Sequence, residues 1–392
     1  MAVLAAGLPN RRVEDWKYTD LRALMSDLRP PAQAPTDADT AWAQTELPLP
    51  KLDAVRIVLL NGRFVGSLSD DSVPGIDVMP LGMVQDDALF GLLDTAGAPA
   101  DNAAVALVGA FAADGVVIRV TPPIARPVHI VHMQAGPGHA VSTRVLVVVE
   151  AGAGTTLVES HVGPGAHQTS SLVEVLLGEK ASLDHIKLQL ESPQTQHLAT
   201  LAVRLGKASN FSSIALARGA ELARQQIFVG FDAEGGSAAL SGITLGGGMR
   251  HLDTTLVVDH SAPSCESREH FRSVLDGEAR AVFQGKLIVR PDAQHTDGKM
   301  VSRALLLSEE AEADLKPELE IYADDVQCGH GATTGALDED MLFFLMSRGI
   351  PKAEAEAMLV SAFIGEVLDT VRLDAVREVL NDSAAEWLSK RN

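Results

Sequence analysis

One kind of turn returns at a nearly fixed interval through the middle of the chain. The segments GAGTTL around Gly154, EKASL around Ala181, GKASNF around Ala208 and EGGSAAL around Gly236 each enter or leave an aliphatic run, at steps of 27, 27 and 28 residues. A further copy, GEARAVF around Ala279, follows after 43 residues, which reads as an insertion on one face. Near-constant spacing of short strands between small-residue corners is the signature of a solenoid. For an all-β chain this predicts a β-helix, in which each coil stacks on the one before. A β-sandwich with evenly spaced turns is the alternative, but a sandwich rarely repeats one turn chemistry at one step.

The rest of the composition fits thin aliphatic layers. Aromatic residues make up only 4% of 392, and the chain is long enough to bury a sizeable core. Its 32 basic against 52 acidic residues leave a formal charge of −20, which repels phosphate backbones and anionic lipid, so nucleic acid and membrane surfaces are poor partners. Two cysteines cannot build a disulfide framework, and MAVLAAGLPNRRVEDWKYTD lacks the apolar stretch of a signal peptide. A reducing, cytoplasmic setting is expected. Apolar runs such as TRVLVVVEAGAG are too short for a bilayer.

Three regions are expected: a mixed helical and hairpin segment over 1–100 with a Pro-rich linker at 30–50, a β-helix core over 101–335, and a helical segment over 336–392. In the first, Trp16 and Tyr18 precede a short helix capped by Thr19 and running to about Leu28. PPAQAPTDADT (30–40) reads as linker, and VRIVLLNGRFVGSL (55–68) as a hairpin turning at Asn61-Gly62. A short helix is expected near Asp86 to Leu93. After Gly335 the pattern turns helical: Asp338, Glu339 and Asp340 open one helix, Arg348 and Gly349 close it, and Pro351 opens a second. The aromatic face with Phe343, Phe344 and Phe363 is either internal packing or a docking surface.

The candidate chemistry centres on DDVQCGHGATTG (324–335), where Cys328 stands two residues before His330. In an extended chain such residues project to one side about 6.5 Å apart. Thiolate and imidazole suit iron in sulfide clusters, zinc or copper(I), yet a closed zinc site needs four ligands. Any metal here must be shared with a second chain or be transient. A cysteine nucleophile with its base, or a buried thiol beside a surface imidazole, are the other readings. His295, Asp297 and Lys299 stand on alternate residues of an expected strand and offer an acid/base set of the kind a β-helix polysaccharide-acting enzyme would need, or merely a solvated edge. The eight acidic residues of 309–325 read as a cation-attracting or basic-partner surface, or as a solvated loop. Cys265, near His260 and His270, reads by default as a buried thiol. LGGGM (245–249) lacks the lysine of a phosphate cradle, so nucleotide hydrolysis is not expected.

GLPNRRVEDWKYTDL, AQHTDGKMVSRALLLS and KPELEIYADDVQCGHGATTGALDEDMLFFLMSRGI together resemble the SufB/SufD scaffold family of iron–sulfur cluster assembly, on its SufD side. A SufB-like HEATTS would place glutamate where Gly331 stands. The resemblance implies a mainly β fold, a right-handed parallel β-helix core with N-terminal and C-terminal helical segments. It implies a non-enzymatic scaffold that pairs with SufB and binds the ABC-type ATPase SufC, with sulfur arriving from a cysteine desulfurase and its carrier. His330 and Cys328 match the cluster-assembly interface, and Leu342, Phe343, Phe344, Leu345, Arg348, Gly349, Ile350, Leu359 and Phe363 match the SufC-contacting segment. No cofactor bound tightly in the isolated chain is expected, only a transient cluster in the complex. Pairing of the isolated chain with itself is expected too. The N-terminal helical region of some relatives is expected to be shorter here.

Overall fold

The structure is a computed structural model that describes residues 7–70 and 72–390; Met1 to Ala6 and the last two residues of the expected C-terminal segment lie outside the described residues. Two ten-stranded sheets face each other across a common core. The first sheet runs from the hairpin Val55–Leu60 and Arg63–Phe64 through Val128–Met133, Gly154–Val162, Ser182–Gln189, Asn210–Ala217, Ser237–Gly246, Glu266–Leu275 and Asp297–Leu306 to Gln327–Gly335. The second starts at Ser72–Val73 and Ile76–Pro80. It continues through Asp114–Val120, Ala140–Val149, Gln168–Leu177, Gln196–Leu205, Leu222–Phe231, His251–His260 and Arg280–Val289 to Glu312–Ile321. The chain alternates between the sheets, and from Val128 on each strand pairs in parallel with the strand one coil earlier, whereas Asp114–Val120 meets Ile76–Pro80 antiparallel. This is a parallel β-solenoid, as the repeat predicts.

The corners explain the interval. Gly152, Lys180, Ala208, Gly235, Ser264 and His295 all have φ between 52° and 74°, one left-handed residue per coil. Their backbone N–H groups donate to the corner of the next coil, as from Lys180 to the Lys207 carbonyl (2.8 Å) and from Ser264 to the Gln294 carbonyl (2.9 Å). The residue that follows is small and faces inward: Ala153, Ala181, Ser209, Cys265 and Thr296 are all buried. A larger side chain there would collide with the coil above. This corrects the expected insertion near Ala279. Ala279 precedes Arg280–Val289 of the second sheet, and the next member of the first-sheet series is Cys265, a small apolar side chain filling the same corner.

Inward-facing Ile57, Val147, Val175, Val203, Leu240 and Leu256 form the apolar core, one per strand face. A polar stretch interrupts it around Glu159 and Glu191. Outside, helix Ala103–Phe111 covers the second sheet through Val105 and Val108 on Leu172. Helices Lys352–Leu368 and Asp374–Ser389 cover the first, with Val360, Ile364, Leu380 and Trp387 on Ile186, Leu216 and Ile243.

At the N-terminal side several expectations change. Asp20, not Thr19, caps a single turn at Leu21–Leu24 by accepting from the Ala23 N–H (3.1 Å). Thr19 is buried and contacts His251 Nε2 at 2.8 Å. The 30–40 stretch is not wholly linker. Pro30 and Ala32 exchange backbone hydrogen bonds with Ala140, and Thr36 with Asp39 forms a capping box that starts helix Asp37–Thr45. The hairpin turns at Asn61-Gly62, both left-handed, but Val55–Leu60 also pairs in parallel with Val128–Met133. The sheets therefore reach back beyond residue 101. Among the described residues no helix is long and apolar enough to cross a membrane.

Candidate functional site

Gln327–Gly335 ends the first sheet and Glu312–Ile321 ends the second, so each has a strand neighbour on only one side. Unpaired N–H and C=O groups on such an edge are a template for another chain. Along the ladder Cys328 lies opposite Gly298, which lies opposite Ser267; His330 lies opposite Met300, which lies opposite Glu269. The solenoid period thus carries two inward columns up to its open end. Cys328 is half-buried and packs on the core, whereas His330 is exposed. Burial raises the Cys328 thiol's pKa above its ordinary value, and the nearby Asp297 and Glu269 push the same way. That direction disfavours the thiolate, the form that acts as a nucleophile or a metal ligand.

Glu269 is the residue sequence reasoning missed. It is fully buried, neither carboxylate oxygen has a hydrogen-bond partner, and burial pushes its pKa up to about 8. The neighbouring Ser267 hydroxyl is shared with His260 Nε2 at 3.0 Å. The signal lay in CESREHF: alternation from the Cys265 corner places Ser267, Glu269 and Phe271 on one face, where an acid has no business unless it serves the site or costs stability.

Cys328 and His330 supply two donors. Among the described residues no further histidine, cysteine or carboxylate joins them in a three-donor group. A metal or nascent cluster held here would need ligands from a second chain.

The other candidates separate. His295 is not on the strand; it occupies the left-handed corner at φ 61° and meets Asp325 Oδ2 at 3.0 Å through Nδ1. Asp297 and Lys299 do lie on Asp297–Leu306, but Asp297 is held by Arg268 Nη2 at 2.6 Å, which keeps its pKa low although its partial burial opposes that. Asp297 and Lys299 meet each other at 3.6 Å, and His295 stands apart from them at its corner. Half of the acidic run is edge strand, Glu312–Ile321, with Asp314 on Arg280, Glu320 on Lys286 (3.0 Å) and Glu318 on Lys316 (3.4 Å), while Glu309, Glu310, Asp324 and Asp325 lie in the turns on either side. Cys265 is buried with its Sγ 3.5 Å from the Ala233 and Pro263 carbonyls, and His260 stacks on Phe231 instead of meeting the thiol.

The C-terminal aromatic face divides. Helix Glu339–Ser347, capped by Asp338 and closed at Gly349 (φ 88°), has no buried residue. Phe343 is 74% exposed and Phe344 51%, with Arg348 stacked 4.6 Å from the Phe344 ring. Leu342, Leu345 and Ile350 are half-buried beside them. On the next helix Leu359 is half-buried, and Phe363 packs on the sheet-covering cluster with Arg272 over its ring at 4.9 Å.

This is a β-solenoid with a thiol and an imidazole two residues apart on its last strand and, next to it, a helix with exposed aromatic side chains. A family described as "SUF system FeS cluster assembly, SufBD core domain" matches residues 131–363. The chain is 30% identical over 383 residues to the iron–sulfur cluster assembly protein SufD of Escherichia coli (strain K12), covering 96% of this chain and 88% of that protein. It is 30% identical over 400 residues to the iron–sulfur cluster assembly SufBD family protein slr0076 of Synechocystis, covering 94% and 85%. Against the SufD of Bacillus subtilis (strain 168) it is 27% identical over 259 residues, covering 65% and 59%. The chain belongs to the SufB/SufD family of iron–sulfur cluster assembly proteins and is of the SufD type.

Proposed function

We propose that this chain is a non-catalytic scaffold subunit whose free edge strand Gln327–Gly335 pairs with SufB, and whose Cys328 and His330 contribute half of the ligand set on which an iron–sulfur cluster is assembled. The observation that carries the reading is that the donor pair lies on the strand that ends the first sheet, whose outer edge has no strand neighbour among the described residues. Two ligands on a free edge are completed by pairing a second edge against it, and a homologous solenoid offers an edge of the same pitch. In the absence of SufB the same edge fits a second copy of this chain. Helix Glu339–Ser347 is the docking element for SufC, because Phe343, Phe344 and Met341 expose apolar surface that no part of the described chain covers. Sulfur reaches the junction from a cysteine desulfurase and its carrier, and the cluster leaves as cargo.

The test is the assembled complex of this chain with SufB and SufC, purified with His330→Ala. Co-purification and the thermal transition are expected to be unchanged while acid-labile sulfide and iron fall to background. Normal iron and sulfide in that variant would sink the assignment.

A further inference from the structure

The polar stretch inside the solenoid is a cluster of five histidines, two glutamates and one lysine drawn from strands and turns between 128 and 205. It divides into two parts. Around Glu191 the carboxylate accepts from the Thr169 hydroxyl (2.7 Å) and Gln189 Nε2 (2.9 Å) and meets His197 Nδ1 (2.8 Å) and His167 Nε2 (3.3 Å), although His197 Nδ1 makes no well-aligned hydrogen bond. Lys187 Nζ donates to His197 Nε2 at 3.1 Å and to Gln225 Oε1 at 2.5 Å. This half is the more heavily hydrogen-bonded of the two.

Around Glu159 it is open. Glu159 Oε1 meets His161 Nε2 and stands 3.7 Å from His132 Nε2, while Oε2 is 3.2 Å from His185 Nε2. His132 Nε2 has no hydrogen-bond partner although the side chain is only 5% exposed. Its other nitrogen, Nδ1, is 3.2 Å from the Thr143 hydroxyl, and His185 Nδ1 is 2.9 Å from the Ser213 hydroxyl. The His132 and His161 rings stack at 4.2 Å and 4°, so both Nε2 edges face the same carboxylate. An imidazole oriented through one nitrogen, with the other bare and aimed at a carboxylate, is the arrangement that second-shell hydrogen bonds impose on metal-ligating histidine.

The donor atoms of His132, Glu159 and His161 all lie within 4.8 Å of one another. Tetrahedral zinc with bonds of about 2.0–2.1 Å separates its ligand atoms by roughly 3.3 Å, so an ion closes the set by drawing His132 Nε2 in from 3.7 Å and opening the short Glu159–His161 contact. A cavity of about 10 Å³ lies beside His132, lined also by Gln134, Thr143, Thr169 and Glu191.

We propose that His132, Glu159 and His161 form a binding site for a divalent first-row transition-metal cation, Zn²⁺ or Fe²⁺, inside the solenoid and separate from the Cys328–His330 pair. The experiment uses the full chain carrying Cys328→Ser and His330→Ala, so that any ion retained does not sit at the open end. It is expressed with added Zn²⁺ or Co²⁺, desalted, and its metal content measured, with visible absorption of the Co²⁺ form reporting nitrogen and oxygen ligation. One ion per chain is expected, falling at least tenfold in Glu159→Gln and in His132→Asn. Thr143→Val keeps all three donors and the fold, and is expected to weaken retention by about 10–100-fold. Less than a tenth of an ion per chain in the parent, or equal retention in the parent, His132→Asn and Thr143→Val, overturns the site.

Discussion

Cys328 stands directly opposite Gly298 in the terminal ladder, its Sγ 3.6 Å from where a β-carbon on Gly298 would lie. That same β-carbon would be 2.5 Å from Leu287 Cδ2 and 3.5 Å from Ser267 Oγ. The glycine leaves the thiol a niche at the solenoid mouth, shared with the Ser267–His260 pair.

Gly298→Ala is expected to overpack this niche, destabilising the chain by about 1–3 kcal/mol in urea unfolding. Alkylation of Cys328 at fixed pH should hardly change, because a β-carbon 3.6 Å from its Sγ is ordinary van der Waals contact and Leu287 takes the displacement. Unchanged stability would show that Leu287 gives way freely.

Glu269 makes stability fall with rising pH. The folded chain keeps its proton up to about pH 8, whereas in the unfolded chain it leaves near the ordinary value of 4.5. Between those values the unfolded state binds fewer protons, so the stability present below 4.5 is lost progressively as pH rises through 8, on the order of 3–5 kcal/mol in all. Glu269→Gln should flatten the slope of unfolding free energy between pH 5 and 8, and a slope equal to the parent's would refute the buried-acid account.

Arg224 pins the N-terminal segment to the second sheet. Its guanidinium donates to Asp253 Oδ2 (2.5 Å) and the Asp15 carbonyl (2.7 Å) and lies 3.9 Å over the Trp16 ring, with Arg224 and Asp253 both buried. Arg224→Ala leaves Asp253 as an uncompensated buried charge and is expected to cost about 3–5 kcal/mol. Limited proteolysis should then cut first between 10 and 30. Protection equal to the parent's would mean that Leu21 and Met25 hold the segment unaided.

Phe343 and Phe363 should behave oppositely. Phe343→Asp with Phe344→Asp is expected to change folding stability by no more than about 0.5 kcal/mol and to abolish co-purification with SufC. Phe363→Ala should cost roughly 1–3 kcal/mol through lost packing on the sheet-covering helices. SufC retained by the double variant would move the docking surface elsewhere.

The coil length was legible before any coordinates, because a corner tolerates only a small inward residue after a left-handed one, and Ala153, Ala181 and Ser209 mark it. The hairpin at Asn61-Gly62 and the helix opening at Asp338 were equally legible, since each depends on residues within a few positions. So was the kinship carried by the 316–350 stretch. Local chemistry misled where its signal was generic: Ala279 resembled a corner of the first sheet yet opens a strand of the second, and His295 resembled a strand residue yet makes a corner.

What only the tertiary structure decided depends on stacking. Residues 29 to 31 apart become ladder neighbours here, which is how Ser267, Gly298 and Cys328 form one column and how His132, Glu159 and His161 come to share a few ångströms of buried space. Which of Phe343 and Phe363 is exposed was likewise decided by which helix the sheet has room to cover. The sequence by itself sets the period and the turn of each coil, because these are local steric matters; the donors that meet, and the edge left unpaired, follow from how many coils stack and where they stop.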